Sequence, residues 1–303
     1  MLLQVLGTAA GGGIPQWNCA CPGCLGARAH PGRRRRHASI AIRAAQARWF
    51  VVNATPDIAD QIEDSAALRP GPGPRETPLA GVVLTDAELD HTLGMARLRE
   101  AQGFDVFAAP AVRDALITRL RLGEVLGPYT GVAWRELPRT RSVPLTENGS
   151  IEISGIKVSG KRPRYAADAE PHEVSDDTWV VALRISDRET GTAALYAPAM
   201  AAWPEEFDAA AREADCVIVD GTFWDDEEPR RTGISRRTAT GMGHLPIEGP
   251  AGTADRLAKL GARHRLYTHL NNTNPLVDPD APQHRALAER GIEVADDGMV
   301  IEL

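Results

Sequence analysis

The stretch "LAGVVLTDAELDH", Leu79–His91, decides how the rest of the chain is read. Its first half is apolar and rich in β-branched residues, as a buried strand would be. Its second half places Asp86, Glu88, Asp90 and His91 within six positions. Taken alone, that is a fair helix start, because acids favour the first turn. The same arrangement recurs downstream. "CVIVDG" ends on Asp220, "RLYTHL" ends by delivering His269, and "GMGHLP" sets His244 in a turn. Apolar strands that each hand a polar residue to one end are how α/β proteins assemble a site. Two imidazoles with carboxylates and open positions suit a ferrous ion, and a more oxygen-rich set suits manganese or magnesium.

Bulk properties bound the class. The chain has 303 residues, of which 43% are hydrophobic and 25% charged. That is the composition of a globular domain with a sizeable core. A formal net charge of −7 argues against a dedicated nucleic-acid binder. The one basic run, Arg33 to Arg36, reads as a solvated turn. No stretch approaches the roughly 18 uninterrupted apolar residues of a membrane span. The opening "MLLQVLGTAAGGG" has no positive n-region, so a cytoplasmic, reducing setting is expected. "GTAAGGG" lacks the Lys-Ser/Thr ending of a P-loop and the spacing of a dinucleotide fingerprint, which excludes nucleotide binding through it.

Periodicity predicts strands at "LLQVLGTAA", "HASIAIRA", "RWFVVNAT", "LAGVVLT", "FDVFAAP", "SIEISGIKVSG", "TWVVALRIS", "TAALYAPAM", "DCVIVDGTF" and "HRLYTHL". Helices are predicted at "PDIADQIEDSAAL", "HTLGMARLREAQ", "AVRDALITRLRLGEVL", "PEEFDAAAREA", "GPAGTADRLAKLGA" and "APQHRALAERG". "IEVADDGMVIEL" closes the chain as a hairpin or strand. No internal repeat of fixed period and no domain linker stands out, so a single domain over residues 1–303 is expected, with sheets inside and helices outside.

"WNCACPGC" groups Cys19, Cys21 and Cys24. In a reducing compartment this C-x-C-x-x-C cluster points to structural zinc rather than to disulfides. Pro22 and Gly23 are read as the turn that brings Cys24 back, and a fourth ligand is needed. Cys216, alone inside "DCVIVD", reads as a packed core thiol. His30, His37, His172, His264 and His284 read as surface histidines. Trp203, Trp224 and Tyr196 read as core or pocket wall.

The segments "GTAAGGGIPQWNCACPGC", "NATPDI", "TDAELDHTLG", "VDGTFW", "MGHLPI" and "YTHLNNTNP" run in order from residue 7 to residue 275. In that order they resemble the metallo-β-lactamase superfamily and, within it, the coenzyme PQQ synthesis protein B family. The resemblance implies an αββα sandwich with a metal at one edge between the sheets. It implies that Asp90, His91 and His269 match metal ligands of the superfamily, and that His244 matches a histidine that handles protons. Asp220, at the end of its strand, is taken as a second catalytic residue. The first two histidines of the superfamily motif are Asp86 and Glu88 here, and the loop that carries a bridging aspartate in relatives reads "APAM". One active-site metal, Fe(II), held by Asp86, Glu88, Asp90, His91 and His269, therefore fits better than a dinuclear zinc centre. His172 stands in roughly the region of the missing middle histidine. Where phosphodiesterase relatives complete the cysteine zinc with a histidine, this chain has Asn272.

The implied function is biosynthesis of pyrroloquinoline quinone (PQQ): oxygen-dependent hydroxylation of the tyrosine-derived ring of a precursor built from glutamate and tyrosine. Arg164, Arg236 and Arg237 are candidates to pair with its carboxylates. A zinc-type metallohydrolase and a PQQ carrier are the alternatives. The expected partner is the small-molecule precursor, with no nucleic acid and no membrane, and a homodimer is an open arrangement.

Overall fold

The structure, a computed structural model, describes residues 1–167 and 177–303, so His172 lies outside the described residues. Among the described residues, fourteen strands form two seven-stranded sheets. The first sheet holds β1 (Leu2–Gly7), β2 (Ser39–Ala45), β3 (Arg48–Val52), β4 (Leu79–Val83), β5 (Gly103–Ala108) and β6 (Gly131–Glu136). The second holds β7 (Val143–Pro144), β8 (Ile151–Ser159), β9 (Val180–Asp187), β10 (Ala193–Ala197), β11 (Cys216–Asp220), β12 (His264–Thr268) and β13 (Glu293–Val294). The last strand, β14 (Val300–Glu302), returns to the first sheet beside β1.

Each sheet starts as an antiparallel meander and continues as parallel strands. The parallel sections, β3 to β6 and β10 to β13, are joined by crossovers that carry helices. Parallel strands aim their C-terminal ends the same way, so each sheet presents one rim of loops.

The sheets stack face to face, and side chains sort by parity as strand geometry requires. In β3, Phe50 and Val52 enter the core between the sheets, whereas Trp49 and Val51 face the outer helices. Val181, Leu183 and Ile185 of β9 and Ala194 and Tyr196 of β10 meet them from the other sheet. Their neighbours Val180, Ala182, Leu195 and Ala197 turn outward. Helices cover those outer faces, which is why the strands read as continuous apolar runs. This is the expected αββα sandwich.

The structure differs from the sequence reading at several elements. "IEVADDGMVIEL" is no hairpin: β13 pairs with β12, and the chain then crosses to pair β14 with β1. The long helix expected from "AVRDALITRLRLGEVL" breaks into Pro110–Thr118 and Leu122–Leu126, because Arg121 takes a left-handed φ of 50° between them. "HTLGMARLREAQ" is mostly 3₁₀ helix, Leu93–Glu100. Gly94 lies against the carbonyls of Ala54 and Thr55, too close for any side chain. β6 and β7 were not foreseen; both are edge strands with little apolar alternation.

Candidate metal centre

The two rims meet at one end of the sandwich. From the first sheet, β4 leads into Asp86, Glu88, Asp90 and His91. From the second, β11 leads into Asp220 and Thr222, and β12 into His269. Backbone bonds stitch the rims together: Leu270 N donates to Thr8 O at 2.8 Å, and Ala10 N donates to Leu270 O at 2.8 Å. Asn53, at a left-handed φ of 68°, closes the end of β3 onto Thr85, its Nδ2 donating to Thr85 Oγ1 at 3.0 Å and its Oδ1 accepting from Thr85 N at 3.0 Å.

Ligand atoms of Asp90, His91 and His269 all lie within 4.8 Å of one another. His91 is 1% exposed. Its Nδ1 pairs with Asp86 Oδ2 at 2.7 Å, while its Nε2 is buried without a hydrogen-bond partner. His269 Nε2 is 3.4 Å and His91 Nε2 3.8 Å from the same Asp90 oxygen. An orphaned buried nitrogen facing a carboxylate and a second imidazole is the signature of a site built for a cation. These three residues fit one metal ion.

Electrostatics agree. Burial disfavours charge on His91, but the carboxylates of Asp86 and Asp90 outweigh it and push the imidazole up to about 9. Burial raises the Asp90 carboxyl, and the His91 charge and the His269 hydrogen bond overcome it, holding Asp90 far below the usual carboxylate range. Burial lowers His269. The pocket thus calls for positive charge; a proton on His91 supplies it here, and a metal would replace that proton.

Asp86 and Glu88 do not take the ligand positions expected of them. Asp86 is spent behind His91: Oδ2 accepts from Thr85 Oγ1 at 2.8 Å and from His91, and Oδ1 accepts from Glu88 N at 2.9 Å. It orients the ring and holds the proton on Nδ1. Glu88 stands at the side, with Oε1 3.5 Å from Lys161 Nζ. Neither belongs to the group of converging ligand atoms.

A second relay lies behind His269. Asp220 Oδ2 meets His244 Nδ1 at 2.7 Å and accepts from Met200 N at 2.8 Å. Asp220 Oδ1 accepts from Thr222 N at 2.9 Å and Thr222 Oγ1 at 2.6 Å. Thr222 Oγ1 has one proton, which goes to Asp220, so it accepts from His269 Nδ1 at 2.8 Å. That fixes the tautomer of His269 and leaves Nε2 for the metal side. His269 has φ 61°, a left-handed conformation that costs a non-glycine residue on the order of 1–2 kcal/mol and is kept by these contacts. Thr222 stands within "VDGTFW", and a hydroxyl two residues after a strand-end aspartate is the signal that marks it in the sequence.

The site opens into a cavity of about 290 Å³, lined among others by Gly11, Lys161, Arg164, Phe223, Arg237 and Asn271. Gly11 is packed against Asp90, where a β-carbon would sit 3.3 Å from Oδ2. Arg164 and Arg237 line the cavity and Arg236 does not. His37, expected at the surface, is instead largely covered: it pairs with Asp57 at 2.7 Å and reaches Gly11 O at 3.3 Å, propping the glycine loop from behind.

The cysteines form a separate cluster, with the three sulfurs within 4.8 Å of one another. Asn272 faces them: its Nδ2 lies 3.2 Å from Cys24 Sγ and 3.5 Å from Cys21 Sγ, and Cys21 Sγ approaches its backbone oxygen at 3.2 Å. Three soft sulfurs on one point suit zinc. Pro22 and Gly23 do not form the expected turn; they begin the helix Pro22–Ala29, with Cys21 as its cap. A β-carbon on Gly23 would overlap the Asn272 carbonyl oxygen. Gly23→Ala is therefore expected to cost about 1–3 kcal/mol and to loosen the thiol cluster, as read by thermal melting and by cadmium–thiolate absorbance.

Beside this cluster, Glu228 accepts from Thr273 Oγ1 at 2.7 Å and Trp224 N at 2.6 Å. Burial pushes its carboxyl up to about 7. Between the ordinary glutamate range and that value, the folded protein holds a proton that the unfolded chain has lost. Stability should therefore fall as pH rises from about 4.5 to about 7, by on the order of 2–3 kcal/mol. Glu228→Gln is expected to flatten that slope in denaturant titrations at stepped pH.

Residues 48–270 match the model of the Beta-lactamase superfamily domain. A coenzyme PQQ synthesis protein B of Cupriavidus necator is 39% identical over 307 residues, with 99% of each chain covered. The chain belongs to the coenzyme PQQ synthesis protein B family. The family's Methylococcus capsulatus member is also 39% identical, over 310 residues and the full length of both chains. A crystal structure of Zn(2+)-bound PqqB from Methylobacterium extorquens superposes with a TM-score of 0.89 at 31% identity, covering 100% of both chains. A diphosphatase from the PhnP family, with a TM-score of 0.68 at 17% identity, shares the fold. Among the described residues no helix is long and apolar enough to cross a membrane.

Proposed function

We propose that the chain acts in PQQ biosynthesis, as the names of its relatives say of them, and that it hydroxylates the tyrosine-derived ring of a small Glu-Tyr-derived precursor. The observation that carries this is the donor set: two imidazole nitrogens, one of them an orphaned buried Nε2, with one carboxylate. That is the ligand set of non-haem ferrous oxygenases. Bound Fe(II) would supply oxygen activation. Asp90, His91 and His269 would hold it, and Asp86 and Thr222 would keep both imidazoles in the right tautomer. The overall change balances: a phenol ring plus O₂ gives an ortho-quinone plus water, one oxygen atom entering the ring and the other leaving reduced.

His244 is the candidate proton carrier. Its Nδ1 is tied to Asp220, and its ring lies 5.7 Å from that of His269, close to parallel. The Asp220 carboxylate accepts from that ring and orients it. The Cys19–Cys21–Cys24 cluster is proposed as a structural zinc site, with the Asn272 amide donating to the Cys21 and Cys24 sulfurs.

The zinc in the Methylobacterium extorquens relative favours a second reading, metallohydrolysis by a zinc-activated water. The two are separated by loading metal-free protein anaerobically with Fe(II) or Zn(II), then adding a Glu-Tyr-derived diamino acid and isotopically labelled O₂. Label in the ring with iron alone supports hydroxylation. Turnover with zinc, without oxygen uptake, overturns it.

A further inference from the structure

The cavity has a buried floor and a charged mouth. His91 and His269 at the floor are 1% and 5% exposed. At the mouth Lys161, Arg164 and Arg237 are all exposed, yet all line the same cavity. They come from two distant segments: Lys161 and Arg164 follow β8, and Arg237 precedes His244. Among the described residues no carboxylate or carbonyl holds Arg164 or Arg237. Lys161 touches one acid, Glu88, at 3.5 Å. Its stem crosses the backbone of Gly243, which has φ 90° and where a β-carbon would meet Lys161 Cδ at 2.8 Å. The loop that delivers His244 is thus shaped to let Lys161 reach over it.

Three cations gathered on one rim repel each other, so a merely solvated face does not account for them. The acids inside do not neutralise them either. Asp86 is paired with His91, Asp220 with His244, and Asp90 faces the metal position. Among the described residues the excess at the mouth is two positive charges, Arg164 and Arg237, with Lys161 set against Glu88.

We propose that Lys161, Arg164 and Arg237 are the specificity determinants of this site, and that they select a small organic polycarboxylate with two or three carboxylates at one end and its reacting end directed to the floor. This rests on the hydroxylation reading only for the identity of the reacting end. Guanidinium groups suit carboxylates because their planar fork donates two parallel hydrogen bonds. The placement favours carboxylates over a phosphate ester, whose reacting anion belongs on the metal rather than at the rim. A cavity of about 290 Å³ admits a small molecule and not a polypeptide.

The test is calorimetric binding to the zinc-loaded chain, which needs no turnover. The probes are tricarballylate, glutarate, acetate and pyrophosphate. Tricarballylate should bind most tightly, then glutarate, with acetate weakest. Arg164→Gln/Arg237→Gln should weaken tricarballylate at least tenfold and acetate hardly at all. Lys161→Gln should weaken it several-fold. Arg236→Gln, next in sequence but outside the cavity, should change nothing, and zinc content should be equal in all variants. The proposal is overturned if wild type fails to bind tricarballylate, if it prefers pyrophosphate, or if the double variant binds tricarballylate as wild type does. If the rim variants behave as expected while labelled oxygen never enters the ring, the reading of the reaction fails and the recognition stands.

Discussion

His91→Ala is expected to empty the active-site metal position, weakening affinity by well over a hundredfold, since even supporting residues behind a ligand cost about 10–100-fold. Two effects combine. The orphaned Nε2 that faces Asp90 and His269 is gone. Asp86, 1% exposed, also loses the imidazole 2.7 Å away that offsets its buried charge. The second loss should destabilise the fold by about 3–5 kcal/mol, the cost of breaking a buried ion pair from one side. Asp86→Asn/His91→Ala separates the two, because it should recover much of the stability and none of the metal. Elemental analysis beside chemical denaturation checks both. The thiol cluster, which shares no side chain with His91, should keep its ion. A full active-site complement of metal in His91→Ala would refute the assigned ligand set.

Asp220→Asn should lower turnover by about 10²–10⁴-fold with the metal retained. All the partners of this carboxylate donate: Met200 N, Thr222 N, Thr222 Oγ1 and the His244 ring. An amide brings its own N–H against one of them. With His269 Nε2 kept for the metal and its Nδ1 proton on Thr222, the ring that loses its acceptor is that of His244. The readout is turnover against pH at matched metal content. The shape of the curve should change, whereas a purely structural role would lower the whole curve evenly. Activity within about threefold of wild type would sink the relay.

Much of this was legible in the chain. Apolar runs such as "LAGVVLT", "CVIVDG" and "RLYTHL" show as buried strands because helices cover the outer faces, and a polar residue at each end marks the rim. His91, Asp90 and His269 were visible for that reason. Asp86 was misassigned because spacing along a chain cannot show which way a carboxylate points; only the turn after β4 sends it behind the imidazole. Thr222 and Lys161 stayed hidden for another reason. A hydroxyl and a lysine are ordinary residues until folding sets one between Asp220 and His269 and carries the other across Gly243. β13 and β14 were joined wrongly because a short polar turn looks the same whether it returns to its own sheet or crosses to the other.

His269 and Asn272 are separated by two residues, Leu270 and Asn271, whose amides are pinned to Thr8 O and Thr222 O at 2.8 and 3.0 Å. One end of that short tether grips the candidate metal centre and the other touches sulfur. A chelator that strips either ion should therefore slacken the hold on its neighbour. Metal titrations of this protein ought to show the two positions weakly coupled, and losses of activity under chelation should not be assigned to one centre without direct counting at both.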